Sequence, residues 1–118
     1  MLNDRYLNLG AYYTMKSQKT LTRKEILAIL HRHQYELKQF KVKRMGLFGS
    51  FAKGKPTSKS DIDFLVEFDE PTYENFYNLI EYLEDLLGRK VEVLTPDAVD
   101  SIRVEEVARD IRESIVYV

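Results

Sequence analysis

The chain reads as an α/β (α+β) domain, a small mixed β-sheet packed with helices, and three observations lead there. Apolar residues switch repeatedly between the spacing of a helix and the alternation of a strand. Capping and stop signals bracket those segments. The length of 118 residues, with 44% apolar and 12% aromatic residues, supports one core and leaves no room for a second domain.

The first residues, 1–20, are weakly patterned and read as an N-terminal extension to a domain over 21–118. Thr22-Arg23-Lys24-Glu25 has the spacing of a capping box. Ile26, Leu27, Ile29, Leu30, His33 and Leu37 follow at helical spacing, which predicts one helix over about 22–39. Residues 41–48 become an apolar run, a strand ending at Gly49, and Ser50 to Lys53 begins a brief helix. Residues 54–60 are turn chemistry throughout. Asp61 to Phe68 alternates with period two. Pro71 stops that strand and Thr72 caps a helix whose stripe is Phe76, Leu79, Ile80, Leu83, Leu86 and Leu87, closed by Gly88. Residues 90–94 are a third strand, and Thr95-Pro96 is an N-cap with proline at the first helical position. Val99, Ile102, Val104, Val107, Ala108 and Ile111 predict a last helical stretch, and residues 115–118 a terminal strand. Alternation of this kind on one domain means a mixed sheet with helices on it.

Composition removes several function classes. There is no Cys, so no disulfide framework, thiolate metal site or cysteine nucleophile exists. No apolar run approaches the ~20 residues of a membrane span. The opening residues lack the basic-then-apolar order of a secretory signal, so a soluble cytoplasmic protein is the expectation. The net charge of −1 conceals an asymmetry: residues 1–60 carry thirteen Lys/Arg against three Asp/Glu, and residues 61–118 carry five against sixteen. Either the two ends bind oppositely charged partners, or the halves interleave in the fold and pair.

The chemistry-bearing segment is Gly49-Ser50-Phe51-Ala52-Lys53-Gly54, then six residues, then Asp61-Ile62-Asp63. Gly49 follows a strand and permits a sharp turn with no side chain in a ligand's way. Ser50 opens the next helix, where free N–H groups favour an anion, and its hydroxyl adds a donor. Lys53 places a positive charge one turn further on. Asp61 and Asp63 are two apart on a strand, so both carboxylates share a face while Ile62, Phe64 and Val66 take the other. Like charges held together in this way call for a cation, and Mg²⁺ suits oxygen ligands and phosphates. Two such ions ~3.5–4 Å apart often serve phosphoryl or nucleotidyl transfer. Glu92 alternates with Val91 and Val93, and joins the aspartates if its strand lies beside theirs.

The string Leu47-Phe-Gly-Ser-Phe-Ala-Lys-Gly-(x)5-Ser60-Asp-Ile-Asp-Phe-Leu-Val66 resembles the nucleotidyltransferase superfamily that includes the beta-type DNA polymerases. Residues 88–96 and the ending Ile115-Val-Tyr-Val118 resemble its single-domain branch, the minimal nucleotidyltransferases, and the likeness covers about 22–118. The resemblance implies the nucleotidyltransferase fold and a MgATP-dependent enzyme. In many members it is the antitoxin of a HEPN-domain ribonuclease toxin, transferring AMP to a tyrosine of that partner. By position it implies that Gly49, Ser50, Lys53 and Ser60 hold ATP. Asp61, Asp63 and Glu92 would be the catalytic and metal-ligating set. Position 53 is usually Arg in this pattern, and Lys loses the bidentate grip on phosphate. The third carboxylate is usually Asp, and Glu92 is one methylene longer. These departures motivate a second reading, a catalytically weak or inactive antitoxin that neutralises its partner by binding alone.

Other features carry less. His31 and His33 read as exposed helix histidines. Lys38, Lys41, Lys43 and Arg44 lack the interleaved aromatics of a nucleic-acid platform. The apolar face Phe76–Leu87 could serve a homodimer or a complex with the toxin.

Overall fold

The computed structural model of the protein describes residues 21–101 and 105–118. The N-terminal extension, with Tyr6, Tyr12 and Tyr13, and the helical positions Ile102 and Val104 lie outside the described residues.

Thr22 caps the first helix, α1 (Arg23–Arg32), through the expected reciprocal box: its hydroxyl accepts from the Glu25 N–H, and the Glu25 carboxylate accepts from the Thr22 N–H. The single helix expected over 22–39 is instead two. His33 leaves the helical region at φ −108°, ψ 17°, and a short α2 (Gln34–Lys38) follows. The break is held locally, because the His33 ring nitrogen meets the Ile29 carbonyl at 2.8 Å. That contact also makes His33 half-buried rather than exposed. Lys41, at φ 62°, then turns the chain into β1 (Val42–Phe48). The four-residue α3 (Gly49–Ala52), β2 (Ile62–Phe68) and α4 (Tyr73–Leu87) come next. Thr72 caps α4 at its start, and Gly88 at φ 66° ends it. The third strand is β3 (Val91–Leu94).

The last helical stretch also divides, into α5 (Pro96–Asp100), capped by the Thr95 hydroxyl, and α6 (Glu105–Ser114). A two-residue β4 (Val116–Tyr117) closes the chain. The sheet order is β3-β2-β1-β4. β1 runs antiparallel to β2 and β4, while β3 runs parallel to β2, so the sheet is mixed as expected.

Alternation along the strands sorts side chains to two faces. On one face Met45, Leu47, Ile62, Phe64 and Val66 meet Ile26, Leu30 and Leu37 of α1 and α2, and Leu79, Leu83 and Leu87 of α4. The stripe on α4 packs on this core, with Leu79, Leu83 and Leu87 buried and Phe76, Ile80 and Leu86 partly buried. Each fully buried Leu contributes about 1.5–3 kcal/mol there. On the other face a smaller cluster joins Phe48, Val99, Ala108 and Ile111, with Leu65, Leu94 and Ile115 packed on it. Gly46 sits under this layer, and a Cβ there would come within 2.7 Å of the Ile115 side chain.

The basic and acidic halves interleave. Lys43 and Arg44 on β1 lie 3.8 and 3.9 Å from Glu67 on β2, and Arg44 stacks over Tyr117 at 4.6 Å. The charge asymmetry along the sequence is thus partly paired off across neighbouring strands. Among the described residues, no helix is long and apolar enough to cross a membrane.

Candidate active site

The site is built where β1 ends. Phe48 is the last strand residue and pairs with Asp63 across the sheet. Gly49 then takes φ +78°, a left-handed conformation that glycine adopts freely. Space demands the same residue: a Cβ at position 49 would collide with Oδ2 of Asp63. The turn therefore rests directly against that carboxylate. Phe51 and Ala52 are buried in the main core and anchor the turn from below. Arg23 Nη1 donates to the Ala52 carbonyl at 2.9 Å, which closes the end of α3.

Each residue expected to hold nucleotide can be placed. Gly49 and Ser50 open α3, and Ser50 is half-buried. Lys53 follows α3, with Nζ 2.7 Å from Asp110 Oδ2 on α6. The Gly49 N–H donates to Ser114 Oγ at 3.4 Å. The Ser60 hydroxyl accepts from the Thr57 N–H at 2.9 Å, so it braces the 54–61 loop. That loop is further held by Arg89, which donates from Nε to the Ser60 carbonyl at 2.7 Å and from Nη2 to the Thr57 carbonyl at 2.8 Å. Arg89 also stacks over Phe51 at 5.3 Å, joining loop, turn and core.

Asp63 and Glu92 come together as the alternation requires, whereas Asp61, expected on the same strand, lies just before it. Asp63 is on the sheet face opposite Ile62 and Phe64, and Glu92 lies directly beside it in the parallel β2–β3 register. Asp61 immediately precedes β2. Burial pushes the Asp63 carboxyl up to about 6, and the charges of Glu92 and then Asp61 push it in the same direction. Ionised Asp63 is thus disfavoured in the protein alone, and a cation would relieve it. Hard oxygen donors of this kind fit Mg²⁺ chemically. They do not form a finished cage: among the described residues, no three His, Cys, Asp or Glu side chains converge as a ready metal site.

The family model described as a nucleotidyltransferase domain matches residues 24–118. The chain belongs to the nucleotidyltransferase family. Among nucleotidyltransferases, it is 46% identical over 104 residues to "Putative protein adenylyltransferase MJ1379" of Methanocaldococcus jannaschii, covering 85% of this chain and 99% of that one. It is 39% identical over 100 residues to "Protein adenylyltransferase MntA" of Thermococcus cleftensis, covering 83% and 97%. A solved chain described as "Structure of putative minimal nucleotidyltransferase" superposes with a TM-score of 0.65 at 22% identity, covering 83% of this chain and 97% of that one. That likeness supports the minimal nucleotidyltransferase fold.

Three residues of this candidate site were not reached by sequence reasoning. Asp110 and Ser114 are four apart on α6 and meet the turn only because α6 packs over the sheet. Arg89 stands inside the stretch 88–96 that carries the resemblance, yet its partners lie 29 and 32 residues back along the chain. An Arg after a helix-ending glycine was the available signal for Arg89. Nothing local pointed to the other two.

Proposed function

We propose that the protein is a MgATP-dependent nucleotidyltransferase acting on protein, an adenylyltransferase. AMP would pass from ATP to a protein hydroxyl, with pyrophosphate leaving. The observation that supports this best is the Gly49 turn seated on Asp63, with Glu92 directly beside it in the sheet. In this reading the backbone at Gly49 and Ser50, with Lys53, binds the triphosphate. Ser60 and Arg89 hold the loop that presents Asp61. Asp61, Asp63 and Glu92 would hold Mg²⁺, which supplies charge neutralisation and orientation of the phosphates. Glu92 would also take up the proton of the attacking hydroxyl. The reaction unit is residues 21–118.

The partner we propose is a HEPN-domain ribonuclease toxin, neutralised inside the cell by AMP on a tyrosine. The family resemblance supports it, and the relatives named as protein adenylyltransferases support AMP transfer to a protein.

A second reading is favoured by the present geometry of the same site. The three carboxylates do not close into a ready ligand set among the described residues, and Lys53 is engaged by Asp110. Glu92 stands where the family pattern usually has Asp. Without conformational closure, this arrangement fits a catalytically weak or inactive antitoxin, acting by contact, better than a fast transferase.

Intact mass of the neighbouring-gene product separates the two. It is incubated with this protein and MgATP, beside a double variant Asp61→Asn/Asp63→Asn. AMP added by the natural protein alone supports transfer. A stable complex with no added mass, in which the double variant still neutralises, supports binding alone. Equal AMP addition by both proteins would refute the assigned carboxylates.

A further inference from the structure

Helix α6 presents two polar side chains to the turn proposed to hold phosphate. Asp110 Oδ2 is 2.7 Å from Lys53 Nζ, and Ser114 Oγ accepts from the Gly49 N–H at 3.4 Å. The two residues are four apart, so they share one helix face. Ala108 and Ile111, on the buried side of α6, fix that face against Phe48 and Val99. The basic residues of α6 have other partners: Arg109 lies 3.9 Å from Glu105, and Arg112 donates to Asp100 at 3.0 Å. The cation that faces Asp110 is therefore Lys53, from a different part of the chain. A carboxylate and a hydroxyl oxygen thus meet the same ammonium and N–H that a phosphate would need.

We propose that α6 is a built-in competitor for the nucleotide, in which Asp110 and Ser114 act as phosphate surrogates and set the affinity for ATP. This rests on the nucleotide-binding reading of Gly49 and Lys53 given above. No bond is made or broken in the exchange. The triphosphate takes Lys53 and the Gly49 N–H, and Asp110 and Ser114 turn to solvent. The Lys53–Asp110 pair is well exposed, at 42% and 60%, so its hold is modest and a polyanionic triphosphate can displace it. The Gly49–Ser114 bond is long and correspondingly weak. The device therefore tunes affinity rather than shutting the site.

The test is MgATP binding by calorimetry, without acceptor protein, for the natural chain and for Asp110→Asn, Lys53→Met and Glu105→Gln. Asp110→Asn should bind MgATP about two- to fivefold more tightly, the range an exposed ion pair supports. Lys53→Met should bind more weakly. Glu105→Gln removes the same charge from the first turn of α6, where its partner is Arg109, and should change affinity less than twofold. The Asp110→Asn gain should shrink at about 0.5 M salt, where exposed charges are screened.

Binding by the natural chain that weakens in Lys53→Met but is unchanged in Asp110→Asn overturns the competitor and leaves the nucleotide reading intact. An equal gain in Glu105→Gln overturns it too, since the general field of α6 would then be the cause. Unchanged binding in Lys53→Met overturns it, because Lys53 would not face the phosphates. Binding by Asp110→Asn alone supports it. No binding by any variant removes the nucleotide reading and the competitor together.

Discussion

Replacing Asp63 by Asn should stabilise the metal-free protein at neutral pH, although it removes a proposed catalytic group. Asn has nearly the same shape, so the close seat of Gly49 is kept. What changes is the charge, which burial and the neighbouring Glu92 and Asp61 disfavour. The folded-state carboxyl is raised from 3.8 to about 6. At about 1.36 kcal/mol per pKa unit this corresponds to about 3 kcal/mol, and to about 1–2 kcal/mol once solvent screening at a half-buried group is allowed for.

The sign follows from proton binding: the folded state holds the Asp63 proton more tightly than the unfolded chain does. The contribution to stability is full below pH 4 and is lost as pH rises through about 6. Urea unfolding in chelator at a series of pH values reads this directly. The two proteins should differ least near pH 4, and Asp63→Asn should lead by about 1–2 kcal/mol at pH 7. A variant less stable than the natural chain at pH 7, or a difference that does not change with pH, would refute the reasoning.

Three further perturbations test the supports of the site. Glu92→Gln removes the stronger of the two repelling charges, so Asp63 should titrate lower in carboxyl carbon NMR; Asp61→Asn should lower it less, and the reverse order would contradict the β2–β3 register. Gly49→Ala forces a left-handed residue into contact with Asp63, and should cost about 2–4 kcal/mol in denaturant unfolding; a loss under about 0.5 kcal/mol would mean that the turn is not seated as described. Arg89→Met removes both bonds to the 54–61 loop, and should cost about 1–3 kcal/mol and speed amide exchange at Thr57 and Ser60; unchanged exchange would assign the bracing elsewhere.

Much of the fold was legible because it is written in local rules. The capping box at Thr22, the cap at Thr72, the stop at Gly88 and the Thr95-Pro96 start each rest on groups within a few residues of one another. Strand alternation at 62–68 correctly separated Asp63 from Ile62 and Phe64. The misreadings were also local in origin. Periodicity carried one helix through His33, where a side chain-to-carbonyl bond sustains a break that apolar spacing cannot register. The same counting merged α5 with α6.

The sequence by itself determined which chemical groups are available and which face of its own element each occupies. The glycine before the short helix, Asp63 facing away from Ile62 and Phe64, and the alternating Glu92 follow from backbone geometry and a period of two. Only the tertiary structure decided who meets whom. The parallel pairing of β3 with β2 put Glu92 beside Asp63. The packing of α6 brought Asp110 to Lys53, and the turn after α4 aimed Arg89 at the loop before Asp61. Such pairings depend on how strands order in the sheet and which helix covers which face. Those choices are made by burial summed over the whole chain, which no short stretch of residues records.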